Sequence, residues 1–581
     1  MTDDAGLGAL LEATDRLTGP GGPFEMATED VLGVPLPVFK RRPRSLAQVL
    51  AAARSHAEPG DRRCMIFDDG TEFGFADIED RAAAVAAWLR DAHGIGPGDR
   101  VAICAANSPE WLLTFWACAR MGAVVVAMNG WWTGAEMRRA LDLTEPKLVL
   151  MDAKRRARLD GDGSSADGDG PPPAAPVVAL EDARHADPDA APPEVPDIDE
   201  DDPAILLFTS GTTGRPKAAV LSHRSVVAFC MLQAFIGARA ALLAGKASPG
   251  GTDGDDEAPR PTPPPPRLAV YPLFHVSGLG TTVTAMLVGQ PTVWPLGRFD
   301  AGKVIELTKK VGIGSWGGTA THIFRLLDHP DIGTVDPAQL VQIGIGGSAT
   351  TPELIRRTEE RFPHLTGTFS SGYGSTESGG LISYATNALL RAAPDCVGPP
   401  LPGVEVAILD DAGRPVPDGE IGNVCARSAL VMLGYWRHDE ANAETLLPGR
   451  WLKTGDYGRM ENGLLFVASR RRDLIIRGGE NVYPFEIENR LEEHPDVDEV
   501  AVIGVDHPEL GQEVRAVVVP RAGARLDEDE LRAFCAETLA SYKVPSQFEV
   551  RTEPLPRNAS GKVLKHVLAA DGDADPGFVE E

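Results

Sequence analysis

The sequence predicts an α/β fold in which a large N-terminal multi-sheet body precedes a small C-terminal α+β domain. Short apolar runs alternate with amphipathic stretches in the body, and 581 residues exceed what one core usually supports. After about Asp473 the pattern changes to a compact set of two helices and two strands. The helices are predicted at 486–493 and 528–539, and the strands at 499–505 and 514–519. We therefore expect domains at residues 1–471 and 472–581.

The composition disfavours several classes of protein. Lys and Arg number 56 against 84 Asp and Glu, a net charge of −28, so nucleic acids and anionic membranes are poor electrostatic partners. The seven cysteines include no CxxC pair, which is typical of reduced thiols rather than of disulfides or a zinc site. The first 22 residues lack the long apolar run of a signal peptide. We expect a cytoplasmic protein.

The apolar stretch 111–128 is long enough to raise the question of a membrane span. Arg120 lies at its centre, where insertion would be costly. The pattern instead predicts a helix over 111–121 and a β-branched strand over 122–127, an αβ unit of a covered parallel sheet. No transmembrane segment is predicted. Two segments rich in Pro, Gly and Asp, 160–202 and 245–266, are expected to be solvated loops outside the core.

The most informative motif is a Thr- and Gly-rich run between a predicted strand at 204–208 and a predicted helix at 222–235. At such a strand-to-helix corner its glycines, hydroxyls and lysine suit a phosphate group. Arg215 and Pro216 separate the second glycine from the lysine, so a Walker loop is disfavoured. A polar turn is the alternative. The nucleotide-binding candidates are Thr209, Ser210, Gly211, Thr212, Thr213, Gly214 and Lys217.

A second tight turn follows a strand-like run at 365–369 and places an aromatic ring, glycines, a hydroxyl and a carboxylate close together. The ring could lie against a purine, the hydroxyl could bind a phosphate, and the carboxylate could hold Mg²⁺ shared with substrate phosphates. A structural turn at the start of a helix is the alternative. The candidates are Gly372, Tyr373, Gly374 and Thr376, with Glu377 as the metal ligand.

Together with further motifs at residues 16–25, 454–456, 470–488 and 556–562, these runs resemble the adenylate-forming superfamily, specifically the acyl-CoA synthetases. The resemblance spans nearly the whole chain. It implies a nucleotide- and acyl-binding domain at 1–471 and a mobile domain at 472–581 that carries a catalytic lysine. It also implies ATP, CoA and a small carboxylic acid as substrates, Mg²⁺ as the metal, and leaves a homodimer open.

The resemblance assigns roles to single residues. Asp456 and Arg470 would bind the ribose, although the basic run at 470–472 could also be a solvated patch. Arg472 would be the hinge between the domains. Gly478 and Gly479 would border the pantetheine channel, with a plain β-turn as the alternative.

Three further groups follow from the same match. Lys562 would act as the adenylation lysine together with Thr376, although a lysine near a terminus is usually solvent-facing. His275 would lie near the acid and pyrophosphate path, with a hydrogen-bonded core histidine as the alternative. The strand end Gly346, Gly347 and Ser348 would border the adenine and the acyl pocket.

The resulting hypothesis is an ATP-dependent ligase that joins a fatty or other apolar acid to CoA through an acyl-adenylate. Glycines at 317, 318, 346 and 347 indicate a pocket open to a bulky or extended apolar acid, with backbone turns as the alternative. An amino-acid-activating module is disfavoured because the His275 motif lacks an acidic residue and only 19 residues follow Lys562. The remaining alternatives are a ligase that charges a carrier protein and a non-catalytic nucleotide-binding protein.

Overall fold

The computed structural model describes residues 4–57, 63–161, 173–209, 216–245, 264–346, 350–365, 369–393, 396–470, 473–477, 480–507, 510–558 and 561–569. Its α/β architecture, with several sheets and a small C-terminal domain, confirms the predicted fold class. Side-chain caps begin many helices, as at Ser108, Thr133 and Thr351, where a hydroxyl accepts an otherwise unpaired backbone N–H.

The helices are α1 (Asp4–Thr18), α2 (Leu46–Ala53), α3 (Ile78–His93), α4 (Pro109–Met121), α5 (Gly134–Thr144), α6 (Ala153–Asp160), α7 (His223–Leu243), α8 (Val276–Val288), α9 (Ala301–Val311), α10 (Ala320–Asp328), α11 (Pro352–Arg361), α12 (Asn387–Ala392), α13 (Asp439–Thr445), α14 (Pro484–Glu492), α15 (Glu528–Ala536) and α16 (Lys565–Ala569).

The strands are β1 (Met26–Val31), β2 (Val34–Phe39), β3 (Arg63–Phe67), β4 (Glu72–Gly74), β5 (Arg100–Cys104), β6 (Val124–Ala127), β7 (Leu148–Met151), β8 (Val177–Ala179), β9 (Pro203–Thr209), β10 (Lys217–Ser222), β11 (Arg267–Leu268), β12 (Thr292–Trp294), β13 (Ser315–Gly318), β14 (Gln342–Gly346), β15 (Phe369–Tyr373), β16 (Ser383–Thr386), β17 (Cys396–Gly398), β18 (Glu405–Leu409), β19 (Gly422–Arg427), β20 (Gly434–Tyr435), β21 (Leu446–Leu447), β22 (Trp451–Glu461), β23 (Leu464–Arg470), β24 (Ile475–Arg477), β25 (Glu480–Val482), β26 (Val497–His507), β27 (Gly511–Pro520) and β28 (Gln547–Val550).

Two large sheets form the body. The seven-stranded sheet has the order β20-β10-β9-β6-β5-β7-β8, and the eight-stranded sheet has the order β16-β15-β14-β13-β11-β12-β3-β4. Their central strands are parallel, and those of the seven-stranded sheet are covered on both faces, as the unbroken burial of β6 and β7 shows. The predicted helix and strand at 111–127 are confirmed as α4 and β6, and Trp111 and Trp116 lie in the largest core.

The phosphate-loop motif lies in a different setting from the one predicted. The apolar residues after it form β10, which pairs antiparallel with β9 so that Thr209 faces Lys217. The motif therefore lies between two antiparallel strands and not between a strand and a helix. The helix predicted at 222–235 is confirmed as α7, which begins at His223, but the apolar run 218–221 before it pairs with β9 as a strand.

Two other predictions were wrong in position. The strand expected at 365–369 is β15, which begins at Phe369 and runs to Tyr373, after a short 3-10 turn at Pro363–Leu365. The segment 160–202 does contribute to the core: β8 extends the seven-stranded sheet, and Leu180 and Ala183 are buried. Of the second expected loop, residues 246–263 lie outside the described residues.

The C-terminal elements from β24 onward have a sheet and a core of their own. β25, β24, β27, β26 and β28 make up the sheet, and α14 and α15 pack on it around Val502, Val518 and Leu531. The two helices and two strands predicted there are confirmed, with the strands longer than expected. The boundary between residues 471 and 472 stays a prediction, since both lie outside the described residues.

Helix α7 is long and apolar enough, by length and composition alone, to cross a membrane. It packs beside α1 and α8 within the largest core, and most of its residues are buried. This packing accounts for its apolar composition. All seven cysteines are also buried.

A buried cluster of charges ties the N-terminal hairpin to the body. The Arg42 side chain is only 2% exposed and pairs with Glu29 (2.7 Å) and Glu200 (2.9 Å). Arg224 at the start of α7 also pairs with Glu200, at 2.9 Å. Hydrogen bonds from Arg42 hold the pKa of Glu29 down at about 2. The cluster fixes β1 and β2 against α7.

The body and the C-terminal domain meet at a buried carboxyl group. Glu492 on α14 bonds the hydroxyl of Thr351, the cap of α11, and its Oε2 is buried with no hydrogen-bond partner among the described residues. Burial and the nearby charge of Glu488 raise the pKa of Glu492 to about 8, with Arg557 opposing and Glu353 adding to the shift. At neutral pH the folded protein therefore holds this proton.

We expect this proton to make stability depend on pH. The folded pKa lies above the ordinary value, so the contribution of Glu492 is fully present below about pH 4.5 and is lost as pH rises to about 8. Glu492→Gln should remove this decrease in the free energy of unfolding, which is at most about 1.4 kcal/mol per pH unit. Chemical unfolding between pH 5 and 8 measures it, with exposed Glu493→Gln as the matched control. Parallel pH curves for wild type and Glu492→Gln would contradict this assignment.

Candidate active site

The predicted site residues converge where the carboxyl ends of β13, β14 and β15 lie near the hairpin of β9 and β10. Gly346 and Gly372 are register partners on neighbouring parallel strands. Ligand sites in parallel sheets commonly lie at this edge. The structure therefore places the two glycine motifs side by side, as a shared site requires.

One cluster joins the phosphate-loop motif to the predicted metal ligand. The Tyr435 hydroxyl donates a hydrogen bond to Glu377 Oε1 at 2.9 Å, and Lys217 Nζ lies 5.2 Å from the centre of the Tyr435 ring. The Thr209 side chain also hydrogen-bonds Tyr435. Burial and the charge of Glu377 raise the pKa of Tyr435, so its hydroxyl stays protonated and donates to the carboxylate.

The sequence prediction missed Tyr435. Its available signal was the Gly434–Tyr435 pair followed by Trp436, an aromatic run without the polar pattern of a loop. The run forms β20, whose register against Ala219 and Val220 sets the Tyr435 side chain beside Glu377. Only this long-range pairing identifies the residue.

A second pair of predicted residues is in direct contact. The Tyr373 hydroxyl donates to Asp456 Oδ2 at 2.7 Å, so the residue expected at the purine touches the residue expected at the ribose. Asp456 and Arg470 are register partners on β22 and β23. These three residues are thus brought together by strands from two different sheets.

The turn after β15 requires glycine at Gly374. A Cβ there would lie 2.3 Å from the carbonyl oxygen of Gly380, because the chain folds back on itself. Ser375 and Ser378 close this turn with mutual hydrogen bonds. Thr376 and Glu377 lie within the turn and not at the start of a helix, so the helix-capping alternative is wrong.

His275 stands at the beginning of α8 with its ring buried against Phe274. Burial lowers its pKa to about 4, so the imidazole is neutral at physiological pH. Its Nε2 is buried and has no hydrogen-bond partner among the described residues. A neutral, unsatisfied ring nitrogen is suited to bind a polar group of a ligand and not to supply positive charge.

The loop that carries Lys562 reaches the carboxyl end of β13. Asn558 and Lys562 exchange hydrogen bonds, with Lys562 N donating to Asn558 Oδ1 at 2.9 Å, and Arg557 donates to the Gly561 carbonyl. A Cβ at Gly561 would lie 3.2 Å from the Thr319 hydroxyl. The C-terminal domain thus presents this loop to the same edge of the sheet.

Several predicted residues lie outside the described residues: Ser210, Gly211, Thr212, Thr213, Gly214, Gly347, Ser348, Arg472, Gly478 and Gly479. Among the residues that are described, no group of three or more His, Cys, Asp or Glu side chains could hold a metal. Glu377 would contribute one carboxylate to the metal. This fits Mg²⁺, which binds one or two carboxylates and takes its other ligands from substrate phosphates and water.

Comparison with known proteins agrees with this geometry. The family model of the AMP-binding enzymes matches residues 52–436, and that of the AMP-binding enzyme C-terminal domain matches residues 486–562. The chain is 34% identical over 504 residues to a feruloyl-CoA synthase of Amycolatopsis sp, which covers 85% of this chain and 93% of the relative.

Two further similarities extend the comparison. A fatty acid–[acyl-carrier-protein] ligase, ScoC of Streptomyces coeruleorubidus, is 31% identical over 526 residues, covering 88% of this chain and 94% of the relative. The crystal structure of ATP-bound MatB from Rhodopseudomonas palustris matches with a TM-score of 0.75 and 28% identity, over 90% of this chain and 98% of that one. The chain belongs to the AMP-binding enzymes, the adenylate-forming superfamily, and within it to the acid–thiol ligases of the acyl-CoA synthetase group.

Proposed function

We propose that the protein is an ATP-dependent acid:CoA ligase. The acid's carboxylate attacks the α-phosphorus of ATP and releases pyrophosphate, and the CoA thiol then attacks the acyl-adenylate and releases AMP. The observation that carries this proposal is the approach of the Lys562 loop to Thr319, at the sheet edge that also holds the Tyr373–Asp456 pair. No covalent enzyme intermediate is required.

The described side chains divide the work of the first step. Tyr373 and Asp456 would receive the nucleoside, and Lys217 and Thr209 the phosphates. Glu377 would hold Mg²⁺, which supplies charge neutralisation to the phosphates when bound. Lys562 would stabilise the negative charge that develops at the α-phosphate. His275, being neutral, would orient the acid or a phosphate oxygen through Nε2.

The second step would require the Lys562 loop to leave. We propose that residues 472–581 swing as a unit about Arg472, so that Gly478 and Gly479 come to border the CoA arm. The separate core of the C-terminal domain supports movement as a rigid body. The body of the acid would lie along β14, where Gly344 and Gly346 leave the sheet face open, and we propose that this part of the acid is apolar.

A carrier protein as acceptor is the second candidate, favoured by the similarity to the ScoC ligase. Purified enzyme incubated with MgATP, a panel of carboxylic acids and either CoA or a carrier protein separates the two. A CoA thioester with AMP, detected by mass spectrometry, is the expected product. An adenylate that is transferred only to the carrier would favour the second candidate, and absence of any adenylate would overturn the proposed function.

The contact between Tyr435 and Glu377 gives a quantitative expectation. Tyr435→Phe removes one hydrogen bond to the carboxylate and should weaken the apparent Mg²⁺ affinity of adenylation by about 10- to 100-fold. Glu377→Gln should weaken it at least as much. Pyrophosphate release titrated with Mg²⁺ measures both effects, with exposed Glu420→Gln as control. An unchanged Mg²⁺ dependence in Glu377→Gln would remove this residue from the metal site.

A further inference from the structure

Glycine residues occupy one face of three neighbouring strands in the eight-stranded sheet. Gly317 of β13 is paired with Gly344 of β14, and Gly346 of β14 is paired with Gly372 of β15. Because alternate residues of a strand share a face, all four point to the same side. A Cβ at Gly344 would meet no atom within 4 Å, and one at Gly346 would meet only the Tyr271 hydroxyl, at 3.4 Å. A Cβ at Gly372 would lie 2.8 Å from the Leu381 side chain, so the open space lies above β14, at Gly344 and Gly346.

The open sheet face above β14 extends from the active-site edge toward the opposite end of the strand. Gly346 lies at the carboxyl end of β14, and Gln342, on the same face, lies four residues earlier. At the rise of a β-strand, the strip of sheet surface between these two residues is roughly 13 Å long, and we call this strip the lane. Gln342, Gly344 and Gly346 are partly accessible, whereas Ile343 and Ile345 between them are buried on the other face. The lane could hold the body of an extended acid.

Two buried arginines lie near the lane, and both interact electrostatically with Tyr384. Arg267 begins β11 opposite Ser315 of β13, and its guanidinium nitrogen would lie 3.7 Å from a Cβ at Gly317. Its Nε is buried and has no hydrogen-bond partner among the described residues. Arg239 of α7 is only 4% exposed, and its described hydrogen bond goes to the Thr14 hydroxyl at 3.2 Å.

Neither arginine has an anionic partner in the part of the chain that the structure describes. Tyr384 of β16 interacts electrostatically with both arginines, and its hydroxyl is hydrogen-bonded to Ser370 of β15. Burial lowers the pKa of Arg239 to about 10, so the group remains a cation at neutral pH. Buried cations are usually paired, because an isolated buried charge is costly. Their counter-charge is therefore missing from the described chain.

We propose that the acid activated by this enzyme carries a second carboxylate or similar oxygen anion at its far end, which Arg239 and Arg267 bind. This inference rests on the proposed function, since it assumes that a carboxyl group reacts at the other end of the lane. The substrate class is then a dicarboxylic acid with an apolar middle. The glycines of the lane contact the apolar middle of the acid. The two guanidinium groups and the Tyr384 hydroxyl bind the oxygens of the distal anion, and the reacting carboxyl group lies near Gly346.

The test compares monocarboxylic and α,ω-dicarboxylic acids of matched length, with kcat/KM for adenylate formation measured through pyrophosphate release. Wild type should prefer the dicarboxylic acid. Arg267→Met and Arg239→Met should each lower kcat/KM for it by about 30-fold or more, the usual loss for a buried charge pair, and leave the monocarboxylic acid unaffected. Arg120→Met is the matched control, because Arg120 also has a buried, unpartnered Nε far from the lane.

The outcomes separate the two proposals. If wild type forms adenylate equally well from both acids and neither arginine variant changes that ratio, the distal anion site is overturned and the ligase assignment stands. If acids with a neutral distal carbonyl surpass the dicarboxylic acids, the anionic class is wrong. If no acid yields adenylate, the proposed function itself fails. Retained turnover of the monocarboxylic acid shows that a variant is folded. A melting temperature that rises in ligand-free Arg239→Met would further support an uncompensated cation.

Discussion

Lys562→Ala is expected to lower the rate of adenylation by about 10²- to 10³-fold, the usual cost of losing one preorganised charge donor. The formation of thioester from a supplied acyl-adenylate should change little, because the proposed second step begins after the Lys562 loop has left. The structure gives the reason for the first effect, since the loop meets Thr319 at the edge where the nucleotide residues converge.

The two half-reactions can be measured separately, by pyrophosphate release and by thioester formation from synthetic adenylate. Lys565→Ala is the matched control: Lys565 lies one helical turn onward and pairs with Glu488 at 2.6 Å within the C-terminal domain. It should retain both half-reactions. An equal loss of both steps in Lys562→Ala would show that the lysine does not act in adenylation alone.

Arg42→Ala is expected to reduce the free energy of unfolding by up to about 3 to 5 kcal/mol, since it removes the most deeply buried counter-ion of Glu29 and Glu200 and leaves both carboxylates to Arg44 and Arg224 alone. The side chain is nearly fully buried and also donates to the Phe39 carbonyl, so no solvent can replace these contacts without opening the hairpin. The effect should appear as a lower denaturation midpoint with little change in kcat of the surviving enzyme.

The nearby pair Lys40–Glu25 provides the contrast, with a Lys40 side chain that is 57% exposed. Lys40→Ala should cost less than about 1 kcal/mol, as exposed ion pairs do. Chemical unfolding followed by far-UV circular dichroism compares the two variants directly. Equal losses would mean that the buried cluster contributes no more than a surface ion pair.

The sequence pattern was sufficient for the elements whose periodicity is strong. The helix predicted at 111–121 and the β-branched strand predicted at 122–127 appear as α4 and β6, within two residues of their predicted bounds. The hairpin of β9 and β10 was not predictable in the same way, because 218–221 is too short and too apolar to distinguish strand from helix start. The pairing of this segment with β9 determines that it is a strand.

The candidate site shows the same division. Motif residues such as Asp456 and Glu377 could be named from local chemistry and family resemblance. Tyr435 could not, because its role depends on an antiparallel pairing with a strand more than 200 residues earlier. The arginines at 239 and 267 lie outside every motif, and only burial without a described counter-ion reveals them. The type of a residue indicates its chemistry from the sequence alone. The lack of a partner among the described residues can be seen only in the structure.

The buried cysteines have a consequence for an enzyme of this class. An acid–thiol ligase works on a thiol substrate whose disulfide form could exchange with the thiolate of any exposed cysteine. Here burial raises the pKa of Cys104, Cys118 and Cys230 to about 12, far above the range in which a thiolate is populated. The native fold therefore holds these cysteines as buried thiols and not as thiolates, so the disulfide form of the acceptor should not modify the native protein.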